Sequence, residues 1–176
     1  MRGLRYIALV SMLITVFETS AQGSTNNNNP QVYSNRIAIQ ASASVVDNLS
    51  LLTLRDVNLN SPTAVDGFIT VNPVNSPYCG LMRINGRPGR QVRITYLAAE
   101  TLIEEGGSGG IVKANYRISG LETDNQNASV LLDIGEASVR LSSEGTYYIW
   151  LGALIDVSKA KPGAYVSEFI MEIEGN

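Results

Sequence analysis

Histidine is absent from this chain of 176 residues, and cysteine occurs once. The first absence excludes His-ligated zinc and every catalytic arrangement that uses imidazole as its base, Ser–His–Asp and Cys–His alike. The second excludes a disulfide framework and a Cys-ligated iron–sulfur cluster. Charge is scarce as well: 16% of residues are Asp, Glu, Lys or Arg, against about 25% in an average soluble chain. Lysine stands only at Lys113, Lys159 and Lys161, whereas glycine occurs 16 times. Long surface helices and coiled coils need the opposite composition. The net charge of −3 argues against general nucleic-acid binding, which needs basic stripes to neutralise phosphates, so no nucleic-acid partner is expected. The length suits one domain.

The first segment reads as an address. Arg2 and Arg5 precede an apolar run from Tyr6 to Val16, and a short polar stretch ends at Thr19-Ser20-Ala21. Positive, apolar and small-residue regions in that order make a secretory signal peptide over residues 1–21. The competing reading is a membrane anchor. Eleven residues at about 1.5 Å rise do not cross a hydrocarbon core of about 30 Å, so no membrane span is expected in the mature chain. The protein is therefore expected in the periplasm, at the cell surface or outside the cell. Residues 22–35 hold Asn26-Asn27-Asn28-Asn29-Pro30 and read as a flexible leader or a donor arm.

From Arg36 to the end the pattern has period two. Ile37, Ile39, Ala41, Ala43 and Val45 alternate with Ala38, Gln40, Ser42 and Ser44, which makes a half-buried strand. The same alternation runs through Val92, Ile94 and Tyr96, through Val112, Ala114, Tyr116 and Ile118, and through Phe169, Met171 and Ile173. Gly67 to Val71 and Gly80 to Ile84 are shorter candidates. Tyr147 to Val157 is apolar on both faces and contains Gly152. It reads as a central strand with a bulge or a close backbone approach at the glycine. Arg87-Pro88-Gly89-Arg90 suits a type II turn. Only Leu97 to Glu105 is expected to hold a helical turn. Many short strands with regular turns predict an all-β fold, a single sandwich over residues 36–176.

Three stretches carry a family resemblance. Ala41-Ser42-Ala43-Ser44-Val45-Val46 with Leu49 to Val57 resembles the opening strand pair of the bacterial domain-of-unknown-function 4402 family. Met82-Arg83-Ile84-Asn85-Gly86-Arg87-Pro88-Gly89 resembles its middle strand and turn. Leu151-Gly152-Ala153-Leu154, with Lys161-Pro162-Gly163-Ala164-Tyr165 and the last strand, resembles its closing signature. The resemblance implies a secreted immunoglobulin-like sandwich and supplies no catalytic residue. Gly163-Ala164-Tyr165 before a final alternating strand is also similar to chaperone–usher pilin subunits. That likeness implies a sandwich that can accept a strand from a neighbour, with Ile37, Ile39, Ala41, Ala43 and Val45 as the assembly strand. The plainer alternative is that this strand pairs within its own domain, since strands adjacent in sequence usually pair locally.

The chemistry-bearing residues each have a bland reading beside the functional one. Arg83, Arg87, Arg90 and Arg93 crowd one predicted hairpin. They read as a solvated tip or as an anion patch for acidic polysaccharide. Cys79 reads as a small buried hydrophobe, since no histidine is present to activate it. Glu104 and Glu105 are adjacent on a strand and face opposite ways, which does not suit a catalytic pair. Gly106 to Gly110 lacks the Lys-Ser/Thr ending of a phosphate loop and reads as a flexible connection. Asp124 to Asn127 lacks calcium-loop spacing. Trp150 reads as core; Tyr147 and Tyr148 point to opposite faces, and the one that is not core forms a sugar platform with Tyr165 only if both lie on an exposed face. No catalytic residue, metal site or cofactor is expected. The leading expectation is a secreted, non-enzymatic structural or adhesive surface subunit that associates with itself or with other subunits through strand edges, as in a fimbria. The alternative is an extracellular carbohydrate- or ligand-binding module. A hydrolase needs acids from separate strands to converge in a cleft.

Overall fold

The computed structural model describes residues 36–42, 45, 46 and 48–175, and within the first two strands it describes only the Ile37 side chain. The expected signal peptide and leader, Ala43, and the side chains of Ile39, Ala41 and Val45 lie outside the described residues. The described chain is an all-β sandwich. Its strands are β1 (Arg36–Ser42), β2 (Val45–Val46), β3 (Leu49–Arg55), β4 (Phe68–Val71), β5 (Gly80–Asn85), β6 (Gln91–Tyr96), β7 (Ala99–Ile103), β8 (Ile111–Leu121), β9 (Val130–Leu131), β10 (Glu136–Arg140), β11 (Thr146–Asp156) and β12 (Ala164–Gly175). One short 3₁₀ helix, Gln126–Ala128, precedes β9.

The smaller sheet has the order β1-β12-β6-β10 and the larger β2-β3-β5-β11-β8-β7, with β4 on β11 and β9 on β8. Among the described strands every pairing is antiparallel except β1 with β12, which is parallel from Arg36↔Ala164 to Ser42↔Ile170. Period-two burial follows the register. Tyr147, Ile149, Leu151, Ala153 and Ile155 of β11 face the core, beside Ile84, Met82, Ile118, Tyr116 and Ala114 of the flanking strands. From the smaller sheet, Val92, Ile94, Tyr96, Val139, Tyr165, Phe169, Met171 and Ile173 complete that core. Phe169 meets Tyr116 edge-on at 5.1 Å between ring centres, which locks the two sheets together where large rings interdigitate.

Four expectations change. The single alternating run from Ile37 to Val45 is two strands, because β1 joins the smaller sheet and β2 pairs with β3 in the larger. The helical turn expected at Leu97 to Glu105 is a strand: β7 alternates buried Leu102 with exposed Thr101 and Ile103, and pairs with residues 111–115. Backbone pairing outweighed the weak helical preference of a short segment. The segment Glu136 to Arg140, unassigned from sequence, is β10, with Ala137 and Val139 inward. The Arg-rich hairpin is a crossover, since β5 pairs with β3 and β11 whereas β6 pairs with β10 and β12. Its turn has the expected form: Gly89 has φ +67 and the Arg90 N–H donates to the Arg87 carbonyl at 3.1 Å. Gly152 is a point of close approach. A Cβ there would stand 2.6 Å from Pro73 Cδ, as the 72–79 connection crosses β11 between β4 and β5.

Candidate functional site

The seam between the first and last strands is the feature with the most functional content. β1 touches one partner strand among those described, so it is an edge strand. Ile37 is buried at 8% exposure, and its N–H donates to Asn60 Oδ1 at 3.2 Å. Asn60 is held by Asn58, whose Oδ1 accepts from the Asn60 and Ser61 N–H groups in an Asx turn. The short Asn58 to Ser61 run therefore anchors the start of β1. Ile39 and Ala41 lie opposite Ser167 and Phe169 in register.

Beneath that seam sits a polar cluster. Glu100 Oε1 accepts from the Tyr116 hydroxyl and from the Ser167 hydroxyl, and the two hydroxyls are 3.4 Å apart. Burial, then the bond to Glu100, pushes the Tyr116 phenol well above its ordinary value. It stays neutral and donates. The cluster ties β7, β8 and β12 together, and no local pattern in the sequence marks it because its members are 16, 51 and 67 positions apart.

At the start of β12 the Tyr165 hydroxyl donates to the Lys161 carbonyl at 2.9 Å and accepts from the Lys161 N–H at 2.8 Å, closing the turn that leads into the strand. Tyr165 is buried, so it does not join Tyr148 on an open face. Glu104 is buried and Glu105 exposed, but both lie in the turn after β7 rather than on a strand as expected, since β7 ends at Ile103. The Glu104 carboxylate accepts from the Gly106 and Ser108 N–H groups at 2.7 and 2.8 Å. Those bonds, that from Ser108 foremost, hold its pKa below the ordinary carboxylate value. Gly106 to Gly110 is thus a loop wrapped around a carboxylate. Lys161 Nζ donates to the Ser108 carbonyl from the other side, at 2.5 Å.

The four arginines are spread over both sheets. Arg83 is on β5 in the larger sheet, where its Nε is buried without a hydrogen-bond partner. Arg93 is on β6 in the smaller sheet, and Glu174 and Glu136 take its guanidinium. Arg87 is exposed in the turn, and Arg90 lies against Gly175. Arg83 and Arg93 therefore face away from each other across the sandwich.

Cys79 is fully buried, and burial raises its thiol pKa. Its Sγ accepts from Gln126 Nε2 at 3.1 Å, and the same amide donates to the Pro73 and Ser76 carbonyls. Gln126 thus fastens the 72–79 connection to the outer face of the larger sheet, a role the sequence did not mark. Trp150 is buried, but on that outer face rather than between the sheets. It stacks with Tyr148 at 6.3 Å beneath the connection. An open cleft of about 480 Å³ lies where β8 and β9 of one sheet approach β10 of the other. Gly120 makes room there for the Tyr147 ring. No cluster of three or more Cys, Asp or Glu suited to a metal is found among the described residues. No helix among them is long and apolar enough to cross a membrane. No protein-family model matches this chain, and no curated protein matches it either.

Proposed function

We propose that this protein is a secreted, non-enzymatic structural or adhesive subunit of a bacterial surface, assembled through strand edges in the manner of a fimbria. The observation that supports this reading is the parallel β1–β12 seam. The first strand of the domain does not pair with its neighbour in sequence. It lies at an edge, beside the last strand, and β12 offers the same backbone groups to a β1 from its own chain or from a second copy. The resemblances to the domain-of-unknown-function 4402 family and to pilin subunits point the same way, and residues 22–35 are the arm that would carry β1 to a neighbour. A second reading, an extracellular carbohydrate-binding module, draws on the half-buried Tyr148 with Arg83 opposite it on the same sheet face.

The decisive experiment exploits the register Ala38↔Val166. Ala38→Cys and Val166→Cys are made separately in a Cys79→Ser background, mixed, unfolded, refolded together and oxidised. Strand exchange yields a disulfide-linked dimer on a non-reducing gel. Deletion of residues 22–35 lowers its yield. A mixture that stays entirely monomeric, together with no surface-associated protein in the native cell, refutes the reading. A glycan array with specific binders and no cross-linked dimer favours the second.

A further inference from the structure

The two sheets turn oppositely charged faces outward. On the larger sheet Arg55, Arg83, Lys113 and Arg117 occupy the rows that alternate with the core, against one acid, Asp156. That carboxylate accepts from the Ser158 hydroxyl at 2.6 Å and keeps its charge beside Lys113, its partner in register, and Lys159. On the smaller sheet the outward rows carry Glu136, Glu168, Glu172 and Glu174 against Arg93 and Arg140, all exposed, and Arg36 stands on the same face by register, at the start of β1 opposite Ala164. Arg93 is occupied by Glu174 and Glu136. Glu168 and Glu172 have no ion-pair partner among the described residues.

Apolar groups accompany both charges. Val166 and Ile170 are 54% and 52% exposed on β12, interleaved with Glu168 and Glu172. On the larger sheet Lys113 is surrounded in register by Phe68, Thr101 and Asp156, with Ile103, Ile111 and Leu154 on the adjoining rows. Phe68, Ile103, Ile111 and Leu154 are all exposed. Exposed apolar residues gathered with charge of one sign mark an association surface more often than a solvated one. The acidic stripe and the basic face are different patches of one molecule, so their contact is heterologous and repeats from copy to copy.

We propose that the acidic, apolar stripe of β12 in one copy seats on the basic, apolar outer face of the larger sheet in a second copy, with Glu168 and Glu172 meeting Lys113 and Arg117. The contact joins sheet faces, so it requires no strand exchange. Four strands (β7, β8, β11 and β4) span about 14 Å at the usual spacing. A face of that width makes a small interface, and its association is weak and concentration-dependent.

Sedimentation velocity on the purified protein, over a concentration series at about 0.01 M and about 1 M salt, tests this, since the Debye length falls from about 30 Å to about 3 Å between them. Self-association at low salt weakens about tenfold or more at high salt. Glu168→Lys with Glu172→Lys, or Lys113→Glu with Arg117→Glu, abolishes it in either variant alone. An equimolar mixture of the two variants restores it, because each reversed patch then finds its complement. Unchanged circular dichroism shows that both variants fold. Wild-type protein that is monomeric at low salt, variants that associate as wild type does, or a mixture that stays dissociated each overturns the proposal. Strand exchange is read separately: Ala38–Val166 cross-linking in the charge variants survives failure here, and restored association without cross-linking leaves this contact standing alone.

Discussion

Gly152→Ala is the sharpest single perturbation of this sandwich. The alanine Cβ would stand 2.6 Å from Pro73 Cδ and 2.7 Å from Pro73 N, and closer still to the Val71 carbonyl oxygen. None of these atoms is the loose end of a side chain. Val71 is held in β4 opposite Ala153, and the Pro73 ring has no rotamer to escape into. Either the β4–β11 ladder or the 72–79 connection must move. Overpacking of this kind costs about 1–3 kcal/mol, and contact with backbone on two residues puts it at the upper end. Replacing glycine returns about 0.4–1 kcal/mol through the unfolded chain, so the net loss is about 2–3 kcal/mol. At about 2–4 °C per kcal/mol for a domain of this size, Tm falls by about 4–12 °C. Urea unfolding followed by tryptophan fluorescence reads both stability and place, because Trp150 is the one tryptophan in the chain and lies two residues away. Gly89→Ala is the control. It has φ +67 with nothing within 4 Å, so it costs only the dihedral penalty of about 1–2 kcal/mol and leaves Trp150 emission unchanged. A Gly152→Ala protein as stable as wild type, with native emission, refutes the close approach.

Other outcomes follow from the buried polar groups. Glu104 has a folded pKa below its ordinary value of 4.5, so its bonds to the glycine loop stabilise fully above that value and are lost as pH falls through the folded one. The urea midpoint of Glu104→Gln should lie below wild type at pH 7 and converge with it in acid; a constant gap would show that the carboxylate charge is irrelevant. Tyr96, Tyr116 and Tyr147 all have phenol pKa values raised chiefly by burial. Stability is therefore intact below their ordinary value of 10 and declines as pH rises above it. Ultraviolet titration should show these three ionising only together with unfolding, and one smooth transition near pH 10 for all tyrosines would refute it. Cys79 should resist a thiol reagent in the native protein and react fully in urea. Rapid native labelling would mean that Gln126 and the 72–79 connection do not cover it.

Much of the fold was legible because alternation is local. Ile94 between Arg93 and Thr95, or Tyr116 between Asn115 and Arg117, states its own burial without reference to any distant residue, and these became β6 and β8 with the expected faces inward. Pro88 and Gly89 specified their turn for the same reason. Short segments were harder. Val130–Leu131 pairs with β8 but is too brief to show a period, and Leu97 to Glu105 carried no alternation strong enough to outweigh a helical reading. The polar contacts were invisible: Glu100 joins Ser167 across 67 positions, and Gln126 reaches Cys79 across 47.

From the chain alone came the alternation of sides, the absence of imidazole chemistry and the expectation of export, since each depends on residue identity or on neighbours a few positions apart. Which strands lie side by side depends on groups that meet only after the backbone has closed long loops. Folding alone placed the first strand beside the last, sent the arginine-bearing strands to opposite sheets, and moved Trp150 to an outer face beneath a connection. Burial and hydrogen bonding are properties of the assembled sheets, and two-residue periodicity states which side of a strand is apolar without stating what will cover it.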